Sequence, residues 1–394
     1  MQADARQLLF LKSLLNSFAD STGLKVNYRK SQILPINVDT ERMNHLANTF
    51  GCAIGSFLVT YLGLPMGTTK RKMEDLTPMM DRVERRLSGC ATWLSYTERL
   101  EMVNTAITPI VIYALGTIKL PKGVIDNIDR IRKQCLWRGN TEKKRGSNLI
   151  AWETVQKPKE KGGLGVIILK LQNYALLLKH LHKFYNQADI PLVQLVWHKY
   201  YQNRVPHATR ELGSFWWKDV MRLNNIYRTI SRCFIGNGAT ACFWEDQWAD
   251  GILATLFPRI ASFAKSSSTL VQEIMHLSDL DSIFFLPLPS QATEELQQLQ
   301  MHIQNIPYDE DTLDHWQPTW GSEYTSRKFY KHACGNLECH PIFKSIWKSK
   351  CTTRVKFFAW LLLVDRLNTK TMLTRRHIFV RNDELCVMCN TGAA

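Results

Sequence analysis

The sequence predicts an α+β protein that is predominantly helical. Apolar residues recur at helical spacing over most of the chain. Runs that alternate apolar and polar residues, as half-buried strands do, are few and short. One segment, Phe234–Asp250 (FIGNGATACFWEDQWAD), is Gly-punctuated and dense in aromatics, as in turns linking short strands. At 394 residues the chain is long enough for two or three domains. Its 12 Trp and 17 Phe supply enough ring surface for several cores.

Taken in order, residues 6–20 place Leu8, Leu11, Leu14 or Leu15 and Phe18 on one helical face, and Gly23 is a stop signal. Leu24–Tyr28 alternates as a short strand would. Thr40–Phe50 reads as a second helix, and Tyr61–Gly67 (YLGLPMG) as a strand ending in a turn. Lys72–Leu87 reads as a third helix despite Pro78, and Tyr96–Ile107 as a fourth, stopped near Pro109. Val124–Trp137 is a basic amphipathic helix with a stripe of Ile125, Ile128, Ile131, Cys135 and Leu136. Thr141–Ser147 and Lys157–Gly165 (KPKEKGGLG) read as loops, and Tyr174–Tyr185 as helix. The Ser-rich, acidic, Pro-punctuated stretch 262–316 reads as a linker with loose helices. A basic helical run follows from Tyr330.

Charge is unevenly placed. The net charge is +15. From Lys119 to Lys183 there are 15 Lys/Arg against 5 Asp/Glu, and from Ser326 to Arg381 there are 13 against 2. Between them, Asp246–Trp316 holds 2 against 11. Two basic blocks around an acidic one predict two separate surfaces for a polyanion such as RNA or DNA. The ten Cys lack the spacing of a secreted disulfide framework, and the Leu8–Leu15 run is interrupted by Lys12 and lacks a cleavage site. The longest apolar run, Phe357–Val364, falls short of a membrane span. These features predict an intracellular chain, nuclear or cytoplasmic, with free thiols and no membrane partner.

Residues that could carry chemistry are sparse. A two-metal polymerase needs paired carboxylates between strands. Glu74-Asp75, Glu245-Asp246, Glu294-Glu295, Asp309-Glu310-Asp311 and Asp383-Glu384 all lack that setting. Gly162-Gly163-Leu164-Gly165 is not a phosphate-cradling Walker loop, and no hydrolase or kinase pattern occurs. Cys386-Val387-Met388-Cys389 is a C-x₂-C turn, which supplies two of the four ligands of a tetrahedral zinc.

The ordered set GLKVNYRKS (Gly23–Ser31), YLGLPMG, Trp93-Leu94-Ser95, Cys135-Leu136-Trp137-Arg138-Gly139, GGLGV (Gly162–Val166), GNG…FW-x-D-x-W (Gly236–Trp248), VKFFAWLLLVDRLNT (Val355–Thr369) and C-x₂-C resembles the C-terminal part of plant non-LTR (LINE-type) retrotransposon reverse transcriptases. The resemblance implies five segments: 1–70 a palm remnant, 71–150 thumb helices, 151–233 a helical connector, 234–325 a Gly/Trp-rich segment with an acidic linker, and 326–394 a zinc-binding domain cut short. It implies that Lys30, or else Arg29, lies near the incoming nucleotide as a general acid. It matches Tyr61, Leu62, Gly63, Leu64 and Pro65 to the primer grip. On the thumb and the loop after it, Arg130, Arg132, Lys133, Arg138, Lys143, Lys144 and Arg145 become candidates for phosphate contact. Cys386 and Cys389 would be half of a zinc site, since the family continues with a His and a further Cys. The family's paired aspartates, which hold magnesium, precede the matching stretch. The expectation is a chain that binds RNA or RNA–DNA duplex but does not polymerise, with stretch 1–70 the least stable part because its strands lack palm partners. The alternative is a structural or protein-interaction product without nucleic-acid affinity.

Overall fold

Helix ends follow the caps that the sequence supplies. In the computed structural model, residues 4–372 are described, apart from 58, 68, 89–92, 140–147, 202–211, 278, 305, 322, 336–339, 368, 370 and 371. Two compact units divide the chain, Met1–Asp81 and Arg82–Ala394. The protein is predominantly helical, with three two-stranded sheets among the described residues.

The first unit holds α1 (Ala5–Thr22), β1 (Gln32–Ile33), α2 (Thr40–Phe50), β2 (Ala53–Ile54), β3 (Val59–Tyr61), β4 (Leu64–Met66) and the start of α3 (Thr77–Ser88). Asp39 caps α2 by accepting from the Arg42 N–H at 2.7 Å, and α1 and α2 end at left-handed Gly23 and Gly51. Leu8, Leu46 and Phe50 form a small core, with Tyr28 edge-on to Phe50 at 5.4 Å. β1 pairs with β2 in parallel, and β3 with β4 antiparallel. Leu24–Tyr28 is not a strand: the chain makes a tight turn at Tyr28–Lys30 instead. Five alternating residues without a neighbouring ladder do not hold a strand. Pro78 lies in the first turn of α3, where its missing N–H costs nothing.

The second unit continues through α4 (Tyr96–Met102), α5 (Thr108–Thr117), α6 (Lys122–Arg138), α7 (Trp152–Gln156), α8 (Leu169–Tyr185), α9 (Pro191–Val196), α10 (Phe215–Met221), α11 (Asn224–Thr229) and β5 (Ser231–Phe234). Then come α12 (Leu253–Leu256), α13 (Pro258–Ser262), α14 (Val271–Met275), α15 (Ser290–Gln304), β6 (His315–Pro318), α16 (Ser326–Ala333), α17 (Ile342–Lys348) and α18 (Thr353–Leu363).

Pro109 does not stop the fourth helix. A π-helical turn at Val103–Ile107 widens the backbone just before it, and the Thr108 N–H and hydroxyl both reach the Val103 carbonyl. Helix therefore runs from Tyr96 to Thr117, 22 residues, long and apolar enough by length and composition to cross a membrane. In this fold its Val103, Ile107, Val111, Ala114 and Leu115 are buried inside the protein. At its end, Asn173 of α8 donates to the Leu115 and Ile118 carbonyls at 2.6 and 2.8 Å, and its Oδ1 accepts from the Leu120 N–H at 3.0 Å. One buried amide thus satisfies backbone groups that the helix terminus leaves open.

A single aromatic-rich core extends from α8 to α16. Tyr185 packs on Tyr227 at 5.1 Å and Trp316 at 4.7 Å, and β5 pairs antiparallel with β6, setting Ser231 opposite Pro318. Stretch 262–316, expected as a loose linker, contributes Val271, Ile274, Phe284, Ala292, Leu296, Leu299 and Trp316 to this core. Most of its acidic groups face outward, with Asp314 buried, while its apolar residues, Ala292, Leu296 and Leu299 at helical spacing, face in. The FW-x-D-x-W segment is built into the same core. Asp246 accepts from the Cys242 N–H at 2.6 Å and pairs with Arg228, while the Trp248 indole donates to the Phe243 carbonyl at 2.8 Å.

His182 borders this core, with its Nδ1 3.1 Å from the Tyr227 hydroxyl and its ring 5.7 Å from that of Tyr324. Burial, with His315 adding to it, holds its pKa down at about 4. In the unfolded chain it titrates near 6.5. As pH falls below about 6.5 the unfolded chain takes a proton that the folded chain refuses, so stability drops until about pH 4, where the folded form protonates too. His182→Gln is expected to narrow the gap between urea midpoints measured at pH 7.5 and pH 5. An unchanged gap would assign the acid sensitivity elsewhere.

Candidate nucleic-acid interface

The two basic blocks, expected as separate surfaces, are packed against each other within the second unit. Their junction is the Lys157–Gly165 loop. The Gly163 N–H donates to the Pro158 carbonyl at 3.1 Å and the Gly165 N–H to the Lys157 carbonyl at 2.9 Å, folding the loop into two turns. A Cβ on Gly163 would fall 2.0 Å from the Lys157 carbonyl oxygen, so only glycine fits.

The C-terminal helices clamp this loop. The buried Trp360 indole of α18 donates to the Gly162 carbonyl at 2.9 Å. Lys161 Nζ donates to the Gly335 carbonyl at 3.2 Å, just past α16, and the Tyr330 hydroxyl accepts from the Ile168 N–H at 2.9 Å. Lys159 Nζ lies 5.0 Å from the Trp347 ring centre of α17, within cation–π reach. Beside the loop opens a cleft of about 550 Å³, lined by Lys159, Lys161, Ile167, Tyr330, Lys331 and Cys334 among others. Lys159 and Lys331 are exposed at its rim, and Lys161 is half-buried. Among the described residues no ion pair engages these three lysines. Arg327, Lys344, Lys348, Lys350 and Arg354 extend the exposed positive surface along the C-terminal helices.

The residues expected at phosphates fare differently. Arg130 is exposed on α6, 3.6 Å from Glu84, with its Nε donating to Asn127 at 2.9 Å. Lys133 is half-buried with Nζ 5.8 Å from the Trp152 ring centre, and Arg138 is half-buried at the end of α6. Arg132 is corrected outright: its side chain is 0% exposed and cannot reach a phosphate. Its guanidinium pairs with Asp129 at 2.8 Å and donates to the Ile167 carbonyl at 2.8 Å. Burial pulls Arg132 below its ordinary pKa and pushes Asp129 above its own, each opposing the other's shift. Arg132 ties α6 to the cleft wall. Lys143, Lys144 and Arg145 lie outside the described residues, as do Cys386 and Cys389. Sequence reasoning missed Lys159, Lys161, Tyr330 and Lys331, although the Lys-x-Lys-x-Lys spacing of the loop was visible.

In the first unit, Lys30 is exposed and its N–H is held by the Asn27 side chain at 3.2 Å. The segment expected as a strand ending in a turn is a hairpin, with Tyr61 opposite Leu64 and Leu62-Gly63 as the turn. Leu62 is 67% exposed at φ 49°, a left-handed conformation that costs a β-carbon residue about 1–2 kcal/mol. Asn tolerates this geometry. Leu62→Asn is expected to raise the first unit's stability by about 0.5–1 kcal/mol in urea titration; a loss would show that the exposed leucine is itself held by contacts.

Residues 324–393 match the family described as zinc-binding in reverse transcriptase. The chain is related to reverse transcriptases. It is 23% identical over 327 residues to an Arabidopsis thaliana protein named "Putative ribonuclease H protein", covering 80% of this chain and 52% of that one. It is also 26% identical over 144 residues to an uncharacterized mitochondrial protein of Arabidopsis thaliana, covering 35% of this chain and 90% of that one. The chain thus spans about half the length of the first of these relatives. Within the described part of the zinc-binding segment, the donors His332, Cys334, His340 and Cys351 do not assemble, and no described group of three or more His, Cys, Asp or Glu could hold a metal.

Proposed function

We propose that this reverse-transcriptase-related chain, of the plant non-LTR (LINE) type, binds nucleic acid without polymerising it. The observation that carries the reading is the junction of the two basic blocks around the Lys157–Gly165 loop, which concentrates positive charge from residues far apart in sequence. Each phosphate that such a surface neutralises releases counterions, so binding falls steeply with salt. The zinc-binding match over α16–α18 supports the same surface.

The reading includes no polymerisation because, among the described residues, members of the acidic pairs are otherwise employed or lie in an exposed turn. Asp75 accepts from the Lys72 N–H at 2.9 Å, Asp246 is buried against Arg228, and Glu295 accepts from the Arg259 and Ile260 N–H groups at 2.9 and 3.0 Å. Asp309 and Asp311 share an exposed turn. Primer extension with template, dNTPs and Mg²⁺ is expected to give no product, and a product that co-purifies with the chain would sink this part.

Binding is tested by fluorescence anisotropy against salt. The slope of log affinity on log salt is expected to lose about one unit for each of Lys331→Ala, Lys344→Ala and Lys348→Ala. The second reading, a protein-interaction role, is favoured by α18, which exposes Val355, Phe358 and Leu362 on one face. Salt-insensitive or absent nucleic-acid binding would leave that reading standing.

A further inference from the structure

We propose that the cleft beside the Lys157–Gly165 loop takes one unstacked base of a single-stranded nucleic acid, so that the chain prefers single strands to duplex. The inference rests on the nucleic-acid reading above and adds the form of the ligand. Two features of the cleft support it. Its inner wall is uncharged, made by Ile167, the Tyr330 ring and the Cys334 thiol, whereas its rim carries Lys159 and Lys331. Its volume of about 550 Å³ falls in the range of small-ligand sites and exceeds what a phosphate alone would fill.

A surface that only tracks duplex phosphates needs exposed cations and no recess. Here the recess and the cations coincide. A base entering the cleft would bring its backbone phosphates to the rim lysines. The Tyr330 hydroxyl oxygen accepts from the Ile168 N–H, which fixes the ring in the cleft wall that the base would meet. Glu160, exposed on the same lining, offers an acceptor to an exocyclic amine. Bases stacked in a duplex cannot enter such a recess, whereas an unpaired strand can splay one out.

The recess is also held open by the fold. Tyr330 is anchored to the start of α8, Lys161 to Gly335, and Arg132 to the Ile167 carbonyl. These three bonds tie both walls in place without a ligand, so a base would not have to order them on entry.

The test uses the full chain and three probes at one salt concentration: a 12-nucleotide single strand, the same strand annealed to its complement, and the same strand with its bases removed but its sugar-phosphate backbone intact. The intact single strand is expected to bind about fivefold to a hundredfold more tightly than the abasic strand, the range for one stacked base. It should also bind more tightly than the duplex. Ile167→Trp, which fills the cleft, is expected to bring the intact strand down to the abasic level while leaving duplex binding unchanged. Retained duplex binding shows that this variant has folded. Equal binding of intact and abasic strands by the unmodified chain, which needs no variant, would overturn the proposal and leave the nucleic-acid reading in place. Failure of all three probes to bind would overturn both.

Discussion

Gly163→Ala is expected to cost the second unit about 3 kcal/mol or more and to abolish salt-dependent nucleic-acid binding. The new Cβ would stand 2.0 Å from the Lys157 carbonyl oxygen, which is backbone and cannot swing away. The loop would have to open, breaking the Gly163–Pro158 and Gly165–Lys157 bonds. The Gly162 carbonyl would then leave the Trp360 indole, and the buried indole N–H would lose its acceptor. Overpacking alone costs about 1–3 kcal/mol, and an orphaned buried donor about 1–3 more. Gly321→Ala is the control: its φ is 74° but nothing lies within 4 Å of the added Cβ, so the expected loss is the left-handed cost of about 1–2 kcal/mol. Urea titration followed by tryptophan fluorescence measures both. Equal losses for the two variants would show that the loop adapts and is not the clamp described above.

Asp314→Ala is expected to be the most damaging single change in the aromatic core, at about 4–6 kcal/mol. The Asp314 carboxylate is buried and accepts from the N–H groups of Gly236, Gly238 and Thr240 at 2.9, 2.8 and 2.8 Å, and from the Thr240 hydroxyl at 2.7 Å. It is what folds the GNG turn. Alanine would leave three backbone donors without an acceptor. The Thr240 hydroxyl also accepts from the Trp316 indole at 2.8 Å, so the loss reaches the ring that joins Tyr185 and Tyr227. Asp314→Asn keeps one acceptor oxygen and is expected to recover part of the loss. A loss below about 1 kcal/mol for the alanine variant would mean that water or a neighbour replaces the carboxylate.

Much of the fold could be read from the sequence where local chemistry sets it. Thr40–Phe50 was bounded correctly because Asp39 and Gly51 are both strong end signals. Other elements depend on distant partners. Pro109 looks like a stop in the sequence because the wide turn that accommodates it has no sequence signature. In stretch 262–316 the linker-like composition masks the Ala292, Leu296, Leu299 spacing that marks a buried face. Arg132 carried a visible warning: it stands four residues after Ile128 and four before Leu136, on the apolar stripe and not beside it. The cleft was out of reach, because no local pattern indicates that Lys159 and Lys331 share one lining.

The pairing of β5 with β6, and of Tyr185 with Trp316, sets a schedule for synthesis. A ribosome that has released Tyr185 must add roughly 130 more residues, on the order of ten seconds of elongation, before Trp316 can cover it. During that interval Phe184, Tyr185, Trp197, Trp217 and Tyr227 have no complete core to enter. Nascent chains that stall in this window would present a continuous aromatic surface to holdases and to one another. Yield in a cell would therefore depend on translation speed between codons 185 and 316 and on holdase supply, and a silent change that slows that stretch would lower the soluble fraction without altering any residue.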